Sequence, residues 1–197
     1  MKVLISGGAK NGKSMYAQRV AKNLAEEKEV PLYYVATMEP VDDEDRARIK
    51  RHVEDRAGWG FITIEEPLKL SKIFNGHGQR YLSLEEPADI PDASGVFLVD
   101  SLTALLGNNM FRSDGKMYLG VLDEMKEDLD TFSNIAGDIV MVSDFINCDG
   151  FDFDEITEKY RENLAMLERF LAGKYDKVVE ISAGQVISFK GEMSGEG

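Results

Sequence analysis

Gly7 and Gly12 bracket four residues and are followed at once by Lys13 and Ser14, so that Gly7-Gly8-Ala9-Lys10-Asn11-Gly12-Lys13-Ser14 has the spacing of a polyphosphate cradle. The chemistry asks for these residue types. Glycine lets the backbone turn its N–H groups toward an anion, a lysine reaches the β and γ phosphates, and a hydroxyl is left to ligate Mg²⁺. The pattern carries weight only between a strand and a helix. Val3-Leu4-Ile5 reads as a buried strand, and Met15 to Glu27 places Tyr16, Val20 and Leu24 at steps of four beside Ala17 and Ala21. The loop therefore opens a helix, whose positive end adds to the anion site.

Two further places could do chemistry. Val96-Phe97-Leu98-Val99-Asp100 is an apolar run ending in an acid. Such an acid either faces the phosphate loop and holds Mg²⁺, usually through water, or caps the helix that follows. Asp42 to Asp55 reads as a mostly solvated helix carrying Arg46, Arg48, Lys50 and Arg51 just before His52, with Arg48 and His52 on one face. It is either a second anion site or an ordinary charged helix. His77, in the turn Asn75 to Gly78, and Cys148 read as loop residues without chemistry, since one cysteine and two histidines do not build a metal site.

The remaining elements must position these groups. Glu29 to Ala36 reads as the second strand, its end marked by Thr37 and Met38, and ligands gather outside the carboxyl ends of parallel strands. Gly58 to Glu65 is a further strand, and Leu68 to Phe74 makes one or two helical turns. Ser101 to Leu106 is helical with Asn108 and Asn109 after it; Tyr118 to Phe132 carries a helical stripe; Ile139 to Val142 is a buried strand ending in Ser143 and Asp144. A helix from Asp154 to Ala172 precedes Lys177 to Ser182 and Gln185 to Lys190, which Ala183-Gly184 joins as an antiparallel hairpin.

At 197 residues the chain fits one α/β domain over 1–190, with a disordered tail expected over 191–197. The 23 basic and 36 acidic residues give a net charge of −13, which argues against nonspecific nucleic-acid binding. No apolar run is long enough for a signal peptide core or a membrane span, and the single cysteine agrees with a reducing cytoplasm.

With these pieces in place, the sequence resembles the adenosylcobinamide kinase / adenosylcobinamide-phosphate guanylyltransferase family of cobalamin biosynthesis. The resemblance rests on GGAKNGKS at 7–14, YVAT at 34–37, the acids Asp42, Asp43 and Glu44 followed by Arg48, Ile49 and His52, the Trp59 to Pro67 segment ending TIEEP, and VDSLT at 99–103. It implies an α/β P-loop NTPase fold of the RecA-like kind, a mainly parallel sheet with helices on both faces and a C-terminal antiparallel hairpin. It implies two activities: phosphorylation of the adenosylcobinamide hydroxyl from ATP or GTP, and transfer of GMP from GTP to the resulting phosphate through a covalent GMP-histidine on His52.

By the same resemblance His52 and Lys13 are catalytic; residues 7–14 with Thr37, Met38, Arg48, Glu65 and Asp100 bind nucleotide; and Ser14 and Asp100 hold Mg²⁺. The expected partners are a nucleoside triphosphate and a corrinoid, and the expected assembly is a homo-oligomer, with a trimer implied. The sequence departs from the family where a VSNEVG-like segment becomes VSDFINCDGFDFDE, and where a V-N-Q triplet becomes Leu167, Glu168 and Arg169. No general base for the kinase step stands out. The competing reading is a P-loop regulator or ATPase/GTPase switch that forms no covalent intermediate.

Overall fold

The structure is a computed structural model. It describes residues 1–39, 58–76, 90–112, 114–146 and 153–192. Arg48, His52, His77, Cys148 and the last five residues lie outside the described residues, as does the charged helix expected over Asp42 to Asp55.

Seven strands form one sheet: β1 (Lys2–Gly7), β2 (Leu32–Ala36), β3 (Ile62–Glu65), β4 (Val96–Asp100), β5 (Asp138–Asp144), β6 (Lys177–Ser182) and β7 (Gln185–Lys190). Their order is β3-β2-β4-β5-β1-β6-β7, all pairs parallel except β6 with β7. The apolar runs Val3 to Ile5, Val96 to Val99 and Ile139 to Val142 occupy the three central strands because both of their faces are covered. α1 (Lys13–Lys28) covers one face, burying Tyr16, Ala17, Val20, Ala21 and Leu24 against Val3, Ile5, Leu98, Val140 and Val142. The other face carries α2 (Leu102–Met110), α3 (Leu122–Ile135), α4 (Glu155–Lys174) and a 3-10 turn over Leu70–Asn75.

The architecture is the expected mainly parallel sheet with helices on both faces and a terminal hairpin. In detail it decides one alternative that the sequence left open and shifts several element boundaries. Ser101 rather than Asp100 caps α2, its hydroxyl accepting from the Ala104 N–H at 3.3 Å. Asp100 therefore belongs to the strand end and not to the helix start. Asn108 and Asn109 belong to α2 rather than following it. Tyr118 precedes α3, because the chain first folds back at a bridge between Phe111 and Met117, and the Arg112 guanidinium lies 4.4 Å from the Tyr118 ring centre.

Away from the carboxyl edge, the opposite end of the sheet is pinned by charge. Buried Asp138 accepts from the Met1 ammonium and from Lys28 Nζ at 2.7 and 2.8 Å.

Candidate active site

β1 ends at Gly7 and α1 begins at Lys13, so the glycine-rich segment is the strand-to-helix loop that its spacing requires. Gly7 is there for space: a Cβ would lie 2.6 Å from the Ile181 carbonyl oxygen of β6. Gly12 has φ +91°, the left-handed region open chiefly to glycine. Asn11 braces the loop from inside. Its amide donates to the Ile181 carbonyl and its oxygen accepts from the Lys13 N–H at 3.1 Å.

Lys13 is buried, 7% exposed, and a buried ammonium needs a counter-charge. It finds one in Asp144 at the end of β5, 2.6 Å from Oδ1, and also donates to the Gly8 carbonyl at 3.3 Å. The pairing follows from the sheet order. β5 lies between β1 and β4, with Asp144 directly opposite Gly7. The Asp144 N–H donates to Thr103 Oγ1 at 2.8 Å, and the Phe145 N–H to the Gly7 carbonyl at 2.9 Å. Tyr160 on α4 donates to the Thr103 carbonyl at 2.9 Å; burial, and then the Asp144 charge, push its hydroxyl up to about 12.

Asp100 ends β4, one strand further from the loop. Alternate side chains along a strand share a face, so Asp100 follows Leu98 on the α1 side of the sheet, as Asp144 follows Val142. Its carboxylate accepts from the Tyr34 hydroxyl at 2.8 Å. Thr37, fully buried, ties the end of β2 to that of β4: its hydroxyl donates to the Ser101 carbonyl at 2.8 Å and accepts from the Ser101 N–H at 2.7 Å. Thr37 thus shapes the rim through its position, with Met38 half-buried beyond it. Asn108 completes the rim, donating to the carbonyls of Thr37 at 2.6 Å and Pro67 at 2.9 Å.

Glu65 ends β3 in register with Ala36, which is in register with Asp100, so the two carboxylates share a row with one methyl group between them. Two strand spacings put their backbones about 10 Å apart. Glu65 is 7% exposed, and burial pushes its carboxyl up to about 8. Glu66 turns the other way and accepts from the N–H groups of Leu68 at 3.1 Å and Lys69 at 2.8 Å.

The structure therefore brings Gly7 to Ser14, Thr37, Met38, Glu65 and Asp100 to one edge of the sheet, while Arg48 and His52 lie outside the described residues. The sequence reading noted Asp144 only as a strand end, Thr103 only as part of VDSLT, and gave Tyr160 no place in the site. The available signal was the acid closing the run Ile139 to Val142, which matters only once β5 is known to adjoin β1.

A glycine-rich loop between the first strand and the first helix, a buried lysine at its end and carboxylates on neighbouring strand ends define a P-loop nucleotide-binding domain of the α/β class. Residues 3–189 match the family described as cobinamide kinase / cobinamide phosphate guanyltransferase, and the chain belongs to that family. It is 30% identical over 193 residues to the bifunctional adenosylcobalamin biosynthesis protein CobP of Pseudomonas aeruginosa, covering 98% of this chain and 99% of that protein.

Among solved structures, the ATPase domain of G40P superposes with a TM-score of 0.51 at 12% identity, over 96% of this chain and 76% of that one. The flagellar accessory protein FlaH of Methanocaldococcus jannaschii gives 0.45 at 11% identity, over 96% and 78%. The G40P likeness speaks for the fold alone. The chain is thus an enzyme of a cobalamin-biosynthesis kinase and transferase family. Among the described residues no helix is long and apolar enough to cross a membrane.

Proposed function

We propose that this single domain, residues 1–190, is a bifunctional transferase. It phosphorylates the hydroxyl of adenosylcobinamide from ATP or GTP, then transfers GMP from GTP to that phosphate, giving adenosylcobinamide-GDP. The observation that carries the reading is the buried Lys13 ammonium, aimed from the loop at the carboxylate-lined strand ends, in a chain that matches the family over residues 3–189.

In the kinase step Lys13 and the loop N–H groups hold the β and γ phosphates and offset charge on the departing diphosphate. In the transferase step the neutral imidazole of His52 attacks the α-phosphorus of GTP, the bond to the bridging oxygen breaks, and pyrophosphate leaves with Lys13 beside it. The corrinoid phosphate then displaces the histidine and takes the GMP. Two displacements replace a direct one between mutually repelling anions. Arg48, with Lys50 and Arg51, offsets charge at the α-phosphate, and cations around His52 favour its reactive unprotonated form. Met38, Glu65 and Asp100 line the place of the ribose and base, with Thr37 setting their spacing.

The donor set suits Mg²⁺: a hydroxyl at the second residue of α1 and carboxylates on the facing strand ends, all hard oxygens. Ser14 would hold the ion directly and Asp100 through water, and when bound it supplies neutralisation of the phosphate charge. The expected setting is the cytoplasm, and the expected assembly a homo-oligomer.

The test is covalent labelling. Incubated with GTP labelled at the α-phosphate and then denatured, the protein should retain acid-labile, base-stable label, and His52→Ala should retain none while still phosphorylating adenosylcobinamide. Release of γ-phosphate with no retained label favours a nucleotide switch instead.

A further inference from the structure

We propose that Asp144 weakens the preference of this site for a nucleoside triphosphate over a diphosphate, acting both as the resident counter-ion of Lys13 and as a fixed negative charge beside the terminal phosphate. The inference rests on the nucleotide site proposed above and adds a property peculiar to this chain. The family's VSNEVG-like segment carries an uncharged amide where residues 142–144 read Val-Ser-Asp, so the shared activities do not need the acid.

The sheet fixes where the charge stands. Asp144 lies opposite Gly7 in the pairing of β1 with β5, and its Oδ1 is 2.6 Å from Lys13 Nζ. Its N–H donates to Thr103 Oγ1 at 2.8 Å, and the next N–H, of Phe145, donates to the Gly7 carbonyl at 2.9 Å. Held on both sides, the strand end cannot withdraw the carboxylate far from an incoming ligand. The Asp144 side chain is 38% exposed against 9% for Lys13, so water sustains its charge when the ammonium turns to phosphate. The nearby hydroxyl of Tyr160 does not offset that charge. It donates instead to the Thr103 carbonyl at 2.9 Å, and the Asp144 charge adds to burial in holding its proton on.

Two costs follow for a ligand. Any phosphate that takes the Lys13 ammonium must first break a partly buried ion pair, and this falls on diphosphate and triphosphate alike. The second cost is selective. A triphosphate brings its terminal group toward the strand end that carries Asp144, where like charges repel, whereas a diphosphate stops one phosphate short. The carboxylate thereby offsets part of what the γ-phosphate gains from Lys13. The diphosphate left by phosphoryl transfer then competes with fresh triphosphate on closer terms, and the kinase step is braked by its own product.

The experiment is equilibrium titration with GDP and with a non-hydrolysable GTP analogue, each in Mg²⁺ and in EDTA, on wild type and three variants. Asp144→Asn keeps the shape and removes the charge. It should tighten the analogue roughly tenfold and GDP about twofold, so that the ratio of the two affinities rises about fivefold. Asp144→Ser carries the same expectation, so that a folding defect in one variant does not decide the question. Asp144→Glu keeps the charge and should keep a ratio near that of wild type. An unchanged ratio in the neutral variants, equal tightening of both ligands, or weakening of the analogue in Mg²⁺ alone overturns the proposal, the last because the carboxylate then serves the metal. Wild-type protein that binds neither nucleotide overturns the reading of the site itself.

Discussion

Glu65 offers a measurable link between the candidate nucleotide site and folding stability. Its carboxyl ordinarily titrates at 4.5 and burial moves it to about 8. A carboxyl raised in the folded state binds more protons than in the unfolded chain between those values, so stability is whole below 4.5 and is lost as pH climbs to about 8. At about 1.4 kcal/mol per pH unit, that interval sets a ceiling of roughly 5 kcal/mol. Rotation of the side chain toward the open strand end relieves part of the cost, so a loss of about 2–4 kcal/mol is expected between pH 5 and pH 8. The assay is urea unfolding across that range, wild type against Glu65→Gln, which copies the neutral form and should flatten this part of the profile. A ribose or base donor that pairs with the carboxylate also favours its charged form, so GTP binding near neutral pH should release a proton, read by calorimetry in buffers of different ionisation heat. Profiles that coincide for wild type and Glu65→Gln would refute the reasoning.

Two other predictions concern parts of the frame that hold the site. Burial raises the Asp138 carboxyl, but hydrogen bonds from Lys28 and the terminal ammonium outweigh it and hold it below the usual range. Its contribution is therefore present above about pH 4 and lost as pH falls through the lower folded value; Asp138→Asn should cost about 2–3 kcal/mol in urea unfolding at pH 7 and little at pH 2.5. Gly7→Ala places a methyl group 2.6 Å from the Ile181 carbonyl and against Asn11. About 1–3 kcal/mol of stability should be lost, together with at least a tenfold loss of ATP-analogue affinity in equilibrium titration.

What could be read from the sequence was what neighbours along the chain decide. The turn from β1 through Gly12 into α1 is local, and so is the β6–β7 hairpin, where Ala183 and Gly184 both take positive φ. Strand order is not local, and that is where the site escaped. Asp100 stood out because an apolar run ending in an acid is a recognisable pattern, and Asp144 ends a similar run. Only the insertion of β5 between β1 and β4 gives the second acid the lysine. The VSD of residues 142–144 was visible as a departure from the family's usual segment, but its physical content, a carboxylate facing Gly7, needed the register. The α3 boundary was misread because Tyr118 fits the helical stripe while its N–H is committed to the Met110 carbonyl at 2.8 Å.

One sheet edge can serve two displacements on different phosphorus atoms if its groups are graded along the row. Next to the loop, the ion pair of Lys13 and Asp144 is partly open, suited to a phosphate group at the γ position. Three strands beyond β5, past Asp100 and the single methyl of Ala36, Glu65 is buried and largely neutral at pH 7, suited to the less charged nucleoside end. On the proposed function, a triphosphate laid along this gradient would have its γ-phosphate at β1 and β5 and its sugar toward β2 and β3, with the α-phosphate between them. The histidine nucleophile proposed for the transferase step would have to come from outside the row, because none of the described strand ends carries one. On the proposed function, both transfers could then share one bound orientation of GTP, with the choice between them set by whether an acceptor hydroxyl meets the γ-phosphorus or an imidazole meets the α-phosphorus.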